Sequence, residues 1–312
     1  MNRQLEQITQ FTPEVRAALH EGQAIVALES TVIAHGLPHP LNLQVAAEME
    51  KAVRAGGATP ATLAILDGKV RVGLSTSELD RVGTATDIHK ASLRDLPLLL
   101  ARGGNGATTV SATAHLAALV GIKVFATGGI GGVHRGWGTT MDISADLPAL
   151  ANTSIVTICA GAKSVLDLPA TLEWLETHGV SVLGYRTDTF PAFYTRSTNP
   201  ALPVDANVGS PEEVAAIFRM RSNVGLRGAV LLCVPIPEEA ALTGVEVESA
   251  IQGALAEAAS QGISGRAVTP FLLGALAQVT EGRSLQANSA LLLNNARVGA
   301  QVSKAISPPR YV

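Results

Sequence analysis

Three observations predict an α/β fold, a three-layer α/β/α arrangement around a mostly parallel central sheet, in one large domain over residues 1–312. Short apolar runs alternate with longer stretches whose apolar residues recur at three- and four-residue spacing. The 312-residue chain is 47% hydrophobic, enough for a single core, because a chain of roughly 300 residues hides about three quarters of its unfolded surface. Thirty glycines and 16 prolines beside only 4% aromatics suit many tight connections and an interior of Ala, Val, Leu and Ile.

The strand expectations, in order, are Ala24 to Leu28, Thr62 to Leu66, Ile122 to Ala126, Ser154 to Ala160, Val180 to Gly184 and Ala229 to Val234. Between them, Val45, Met49, Ala52 and Val53 mark an amphipathic helix that stops at Gly56-Gly57. Helical character recurs in Thr108 to Val120, Lys163 to Thr177, Pro211 to Ser222 and Glu239 to Ser260, with Pro211 and Pro237 where helix starts are expected. Pro308-Pro309 should halt the last helix. Residues 190–210, with Phe190, Phe193 and Tyr194 among turn residues, read as a surface loop or a lid. In a parallel α/β sheet, ligands collect outside the carboxyl ends of the strands, so functional residues are sought there.

A net charge of -3 and a pI near 6.2 leave no basic footprint for a nucleic acid polymer. Cys159 and Cys233 sit inside apolar runs and read as reduced core residues, without a disulfide framework or a Cys-x-x-Cys metal site. No central apolar run marks the polar first fifteen residues as a signal peptide, and no stretch reaches the roughly 18 apolar residues of a membrane span; the expectation is a cytoplasmic protein without a membrane partner.

The densest cluster of chemistry-bearing residues is Thr127 to Asp146, which follows the strand Ile122 to Ala126 and holds six glycines. Glycine lets backbone N–H groups approach an anion, so the loop suits phosphate, and equally a turn where elements cross. His134 stands where a dinucleotide fingerprint needs its third glycine, and no Walker-type ending occurs. Asp142, Ser144 and Asp146 offer oxygen ligands two apart, a pattern for magnesium or manganese sooner than zinc; the same spacing suits a solvated helix start. Lys163 follows the strand Ser154 to Ala160 and stands at the expected helix start, where helix amides and burial would favour a free amine; a solvated turn lysine has the same position. Glu29 follows Ala24 to Leu28, where partial burial would make it a general acid; a surface glutamate at a strand end, the equal alternative, would have no such role. His35 and His39, separated by Gly36-Leu37-Pro38, read as loop residues. Lys90, and Gly106 to Val110 ahead of a helix, are further phosphate candidates or plain capping segments.

Together, A-L-E-S-T-V-I-A-H-G-L-P at 27–38, G-A-T-T-V-S-A-T at 106–113, the 127–146 loop and C-A-G-A-K-S at 159–164 closely resemble the pseudouridine-5'-phosphate glycosidase family. P-A-T-L-A-I-L-D-G at 60–68, G-Y-R-T-D-T-F-P-A-F-Y at 184–194, T-P-F-L-L at 269–273 and N-N-A at 294–296 extend the resemblance nearly end to end. It implies reversible cleavage of pseudouridine 5'-phosphate to uracil and ribose 5-phosphate, with Lys163 as covalent amine through a ring-opened Schiff base and Glu29 as proton donor. It also implies manganese at Asp142, substrate contacts at Lys90, Thr109, Val110, Thr127, His134, Ser144, Ala145, Asp146 and Asn288, and a homotrimer. Trp137-Gly138 falls in a variable part of the metal loop. The chemistry is coherent: a carbon-linked base has no easily protonated glycosidic nitrogen, so an acid and an amine must act together. A Schiff-base lyase on another sugar phosphate, or a non-catalytic sensor of phosphorylated nucleosides, would use the same pocket residues.

Overall fold

The computed structural model describes residues 3–263 and 268–307, so Pro308-Pro309 lie outside the described residues. Its strands are β1 (Thr9–Phe11), β2 (Ile25–Leu28), β3 (Thr59–Leu66), β4 (Lys69–Val72), β5 (His89–Ala91), β6 (Gly106–Thr108), β7 (Val124–Ala126), β8 (Val133–His134), β9 (Val156–Cys159), β10 (Leu166–Asp167), β11 (Ser181–Tyr185), β12 (Ala206–Val208) and β13 (Val230–Cys233). The main sheet is 11-stranded, in the order β1-β4-β3-β2-β7-β9-β13-β11-β12 with β5 and β6 beside β3; β8 and β10 form a separate pair. From β3 to β12 every neighbouring pair is parallel. All six expected strands are present, each fully or almost fully buried, as strands covered by helices on both faces must be.

One overhang shapes the functional end of the sheet. Leu28, the last residue of β2, pairs with Thr62, but β3 runs on to Leu66. The short β6 pairs antiparallel with that extension, Ala64 with Ala107 and Ile65 with Gly106, so the chain leaving β6 arrives at the carboxyl end of β2. Buried hydroxyls fasten the junction: the Thr108 N–H donates to Ser30 Oγ at 2.8 Å, and Thr113 Oγ1 donates to Thr108 Oγ1 at 2.8 Å.

On one face the helix Arg283–Ile306 crosses β2, β7 and β9 and packs beside the helices Leu41–Ala55 and Pro211–Asn223. Its register follows the strands. Ser303 Oγ donates to Ile25 O at the start of β2, and Gly299 lies over the strand middles, where an added Cβ would stand 3.2 Å from Val26 and 3.3 Å from Ala126. Asn295, a further turn toward the helix start, reaches the carboxyl end of β7. The other face carries the helices Val110–Leu119 and Asp146–Asn152.

Three expectations change. The helix expected from Glu239 is a 3₁₀ turn at Glu238–Ala240 followed by a separate helix, Gly244–Ser260. Thr108 ends a strand, and its helix starts at Val110. Residues 190–210 are anchored: Phe190, Phe193 and Tyr194 are buried, and β12 adds to the sheet edge beside β11. Burial raises the Tyr194 hydroxyl well above its ordinary range. These aromatics are core, so they do not form the exposed face of a surface loop or lid.

Candidate active site

Glu29, Thr127 and the Ala160–Lys163 turn each follow the last residue of a strand, and those strands, β2, β7 and β9, are neighbours in that order. The sheet thus delivers an acid, a hydroxyl and an amine to one crevice at its carboxyl edge. Thr127 Oγ1 donates a hydrogen bond to Glu29 Oε1. The β3 overhang brings Thr109 and Val110 to the same edge, and Lys90 follows on β5, which pairs with β6.

Lys163 stands elsewhere than at a helix start. Its N–H donates to Ile130 O at 3.1 Å and its carbonyl accepts from Leu166 N at 3.0 Å; the chain then forms β10 against β8. The helix begins only at Leu168, where Asp167 accepts from Ala170 N and Pro169 occupies the first turn. Asp-Leu-Pro is a sound start signal that the apolar periodicity from Lys163 onward obscured. Helix-end electrostatics therefore give no account of this amine. Gly161 makes the turn possible, with φ of 80° and a backbone packed against the Pro191 carbonyl. A cleft of about 680 Å³ beside the turn is lined by Arg135, Ser164 and Glu248 among others, and by none of the expected site residues.

Of the two readings of the glycine-rich loop, its packing follows the turn where elements cross. Several amides expected to face an anion have internal partners: Ile130 N bonds Gly161 O, Gly131 N bonds Asp146 Oδ2, Val133 N bonds Thr171 Oγ1 and His134 N bonds Asp142 O. The glycines serve close packing. An added Cβ would stand 2.4 Å from Phe193 at Gly129, 2.2 Å from Ser144 Oγ at Gly131 and 2.3 Å from Thr171 Oγ1 at Gly132. Asp146 is buried, and its other oxygen accepts from Ser111 N at 2.9 Å. Both its oxygens thus clamp the loop to the start of the helix Val110–Leu119, a role that spacing alone did not reveal. Ser144 stays beside the loop, its N–H on Gly132 O and its Oγ accepting from Asp146 N, and Ala145 is exposed just before the helix.

Asp142 and His134 approach each other on the outer side of this loop, with Asp142 Oδ2 3.7 Å from His134 Nδ1. Among the described residues no group of three or more His, Cys, Asp or Glu could hold a metal ion. One carboxylate beside a hydroxyl-rich loop fits a hard cation that keeps most of its waters, and does not fit a structural zinc.

Burial dominates the electrostatics. It raises the Glu29 carboxyl above its ordinary value; Lys163, the Thr127 hydrogen bond and Lys90 oppose this, and Asp146 adds to it. Burial also lowers the Lys90 ammonium, followed by the charge of Lys163, against Asp146 and Glu29. His134 is lowered by burial against the pull of Asp142, which favours neutral imidazole at neutral pH. Glu29 is thus fit to carry a proton nearer neutrality than a free carboxylate, beside two lysines.

On the helix Arg283–Ile306, Asn288 lies two turns before Asn295, about 10 Å further out, which carries it past the strand ends toward the crevice. Asn295 itself, part of the N-N-A motif but without an expected role, is fully buried and donates to Thr127 O at 2.8 Å and Gly128 O at 3.4 Å. Only the helix's register over the sheet singles it out.

A parallel α/β scaffold with an acid, two lysines and hydroxyls at its carboxyl edge defines an enzyme of the class that acts on small anionic substrates. A family profile, Indigoidine synthase A like protein, matches residues 14–305. The chain belongs to that family. It is 53% identical over 303 residues to a pseudouridine-5'-phosphate glycosidase of Caldanaerobacter subterraneus subsp. tengcongensis, covering 97% of each chain. It is 53% identical over 306 residues to one of Symbiobacterium thermophilum, covering 97% of this chain and 99% of the relative. Among solved structures it superposes on the prealnumycin C-glycosynthase AlnA in complex with ribulose 5-phosphate, with TM-score 0.90, 42% identity and coverage of 96% and 97%. An indigoidine synthase A-like protein of Thermotoga maritima gives TM-score 0.85 at 34% identity, covering 95% of each chain. Among the described residues no helix is long and apolar enough to cross a membrane.

Proposed function

We propose that this enzyme cleaves the carbon–carbon bond of pseudouridine 5'-phosphate reversibly, giving uracil and ribose 5-phosphate. The observation that carries the reading is the convergence of Glu29 and Lys163 at one edge of the sheet, on strand ends separated by β7 alone, in a chain half identical to relatives bearing that activity's name. The solved neighbour that holds ribulose 5-phosphate supports a pentose phosphate in this crevice.

In the proposed sequence the Lys163 amine bonds to C1' as the C1'–O4' bond breaks, and Glu29 supplies the proton that O4' takes up. The new secondary ammonium returns a proton to the Glu29 carboxylate, and the nitrogen lone pair forms the C1'=N iminium as the C1'–C5 bond breaks with its electrons on uracil. Glu29 then passes that proton to C5. Water adds to the iminium, releasing ribose 5-phosphate and the free amine. Lys90 provides a cation for the phosphate, and Thr109, Val110, Thr127, His134, Ser144, Ala145 and Asn288 line the substrate in this reading. Asp146 supports it from behind through the amides of Ser111 and Gly131.

Asp142 would hold one manganese or magnesium ion, with His134 close by. Bound there, the ion supplies positive charge and ordered water toward the substrate's oxygens. A cytoplasmic homotrimer completes the proposal and rests on the family resemblance.

The test is incubation with pseudouridine 5'-phosphate and manganese; absence of uracil and ribose 5-phosphate sinks the reading. Borohydride reduction with ribose 5-phosphate should leave a mass adduct on Lys163 that Lys163→Ala lacks. A sensor would show neither turnover nor adduct. Unchanged turnover in Lys163→Ala would defeat the covalent mechanism.

A further inference from the structure

We infer that Asn295 is a positioning residue for the proton donor: by holding a one-residue slip at the end of β7, it fixes the Thr127 hydroxyl on Glu29. This deepens the proposed function and rests on Glu29 serving as the acid.

The argument starts from the β7–β9 ladder. In a parallel pair each residue bonds the partners flanking its opposite number. Val156 N donates to Lys123 O and Thr127 N to Ile158 O, as the pairing of Ala126 with Ile158 requires. The next bond in that register would run from Ala160 N to Thr127 O. Instead, Ala160 N donates to Gly128 O at 2.8 Å. The Thr127 carbonyl is thereby turned out of the ladder in the interior, where a backbone acceptor needs a partner.

Asn295 supplies that partner. Its Nδ2 donates to Thr127 O at 2.8 Å and to Gly128 O at 3.4 Å, so one amide grips both carbonyls on either side of the slip. Its Oδ1 has no hydrogen-bond donor among the described residues, so the bond to these carbonyls alone explains a buried polar side chain here. The orientation is determined, because the flipped amide would set an oxygen against two carbonyl oxygens. The helix around it is placed by Ser303 on Ile25 O and by the close approach of Gly299 to β2, β7 and β9. With the slip held, the Thr127 side chain reaches Glu29 on the neighbouring strand.

The charged groups facing Glu29 are Lys163 beyond β9, Asp146 at the start of the helix Asp146–Asn152, and Lys90 on β5. Substitution at Asn295 or Thr127 removes none of them. Losing the Thr127 hydrogen bond removes support for the carboxylate, so Glu29 should hold its proton to still higher pH.

The experiment records kcat and KM for pseudouridine 5'-phosphate against pH in wild type, Asn295→Ala, Thr127→Val and the double variant, with Glu29→Gln identifying the limb that belongs to Glu29. In parallel, the Glu29 carboxyl is titrated without substrate by NMR on glutamate-labelled protein. Both single variants should move the limb and the titration to higher pH. In each, kcat should fall about fivefold to tenfold, the effect of losing one ordinary hydrogen bond, and in Asn295→Ala, which leaves the substrate-lining residues in place, KM should stay within about twofold. The double variant should shift no further than Thr127→Val. If Asn295→Ala does not fold, Asn295→Leu, which keeps the side-chain volume and has no donor, takes its place. A folded Asn295 variant whose Glu29 titration stays at the wild-type position overturns the inference, as does an Asn295 effect that persists undiminished in Thr127→Val. If wild type releases no uracil, the proposed function falls while the NMR titration still decides the link from Asn295 to Glu29.

Discussion

Gly161→Ala tests whether the turn after β9, and no helix start, places Lys163. Alanine in the left-handed region occupied by Gly161, with φ of 80°, costs about 1–2 kcal/mol. The added Cβ would also stand 1.9 Å from the Pro191 carbonyl oxygen, which must retreat by about 1.5 Å to restore an ordinary contact. That retreat pulls on three bonds that tie the turn to its surroundings: Lys163 N to Ile130 O, Phe193 N to Ala160 O and Ser164 Oγ to Ala192 O. Weakening two of them at about 1 kcal/mol each brings the total to roughly 3–4 kcal/mol, a drop in Tm of about 5 °C for a chain this long. A displacement of about 1 Å at the amine should lower kcat/KM about 100-fold. Thermal melting and uracil release measure the two effects. Gly179→Ala is the control: φ is 68° and nothing lies within 4 Å, so it should cost about 1 kcal/mol and leave turnover intact. A Gly161→Ala protein that melts like Gly179→Ala and keeps wild-type kcat/KM would refute the assignment.

Glu29→Gln should abolish most uracil release yet melt higher than wild type at neutral pH. The Glu29 carboxyl is raised above its ordinary value, so the folded state binds the extra proton, and wild-type stability falls as pH rises from that value through the raised one. The difference in Tm between the two proteins should therefore shrink as pH is lowered toward 4.5; a constant difference would contradict it. Chelation should lower activity and manganese restore it, with Asp142→Ala requiring far more metal or failing; full activity in excess chelator would rule against an ion at Asp142.

Much of the architecture was legible because strands buried on both faces must be short, apolar and bounded by turns. All six such runs are strands within a few residues of their expected limits. The short pieces β5, β6, β8, β10 and β12 were not legible. They contain two or three residues each, too few for a period to register, and they exist because a longer neighbour offers unpaired backbone, as β3 does for β6. Lys163 shows the opposite error. Its apolar neighbours Val165, Leu166 and Leu168 have helical spacing, yet the first two pack through a turn and a β-pair.

The sequence by itself determined the alternation of strands and helices and the family, and it singled out the candidate site residues, since each depends on local pattern or on long ordered motifs. Only the tertiary structure decided how those residues cooperate. The strand order sets Glu29, Thr127 and Lys163 side by side, Asp146 joins two distant backbone amides, and the helix Arg283–Ile306 brings Asn295 to a carbonyl 168 positions away. Such contacts depend on which strands are neighbours and where each stops, and no local periodicity encodes either.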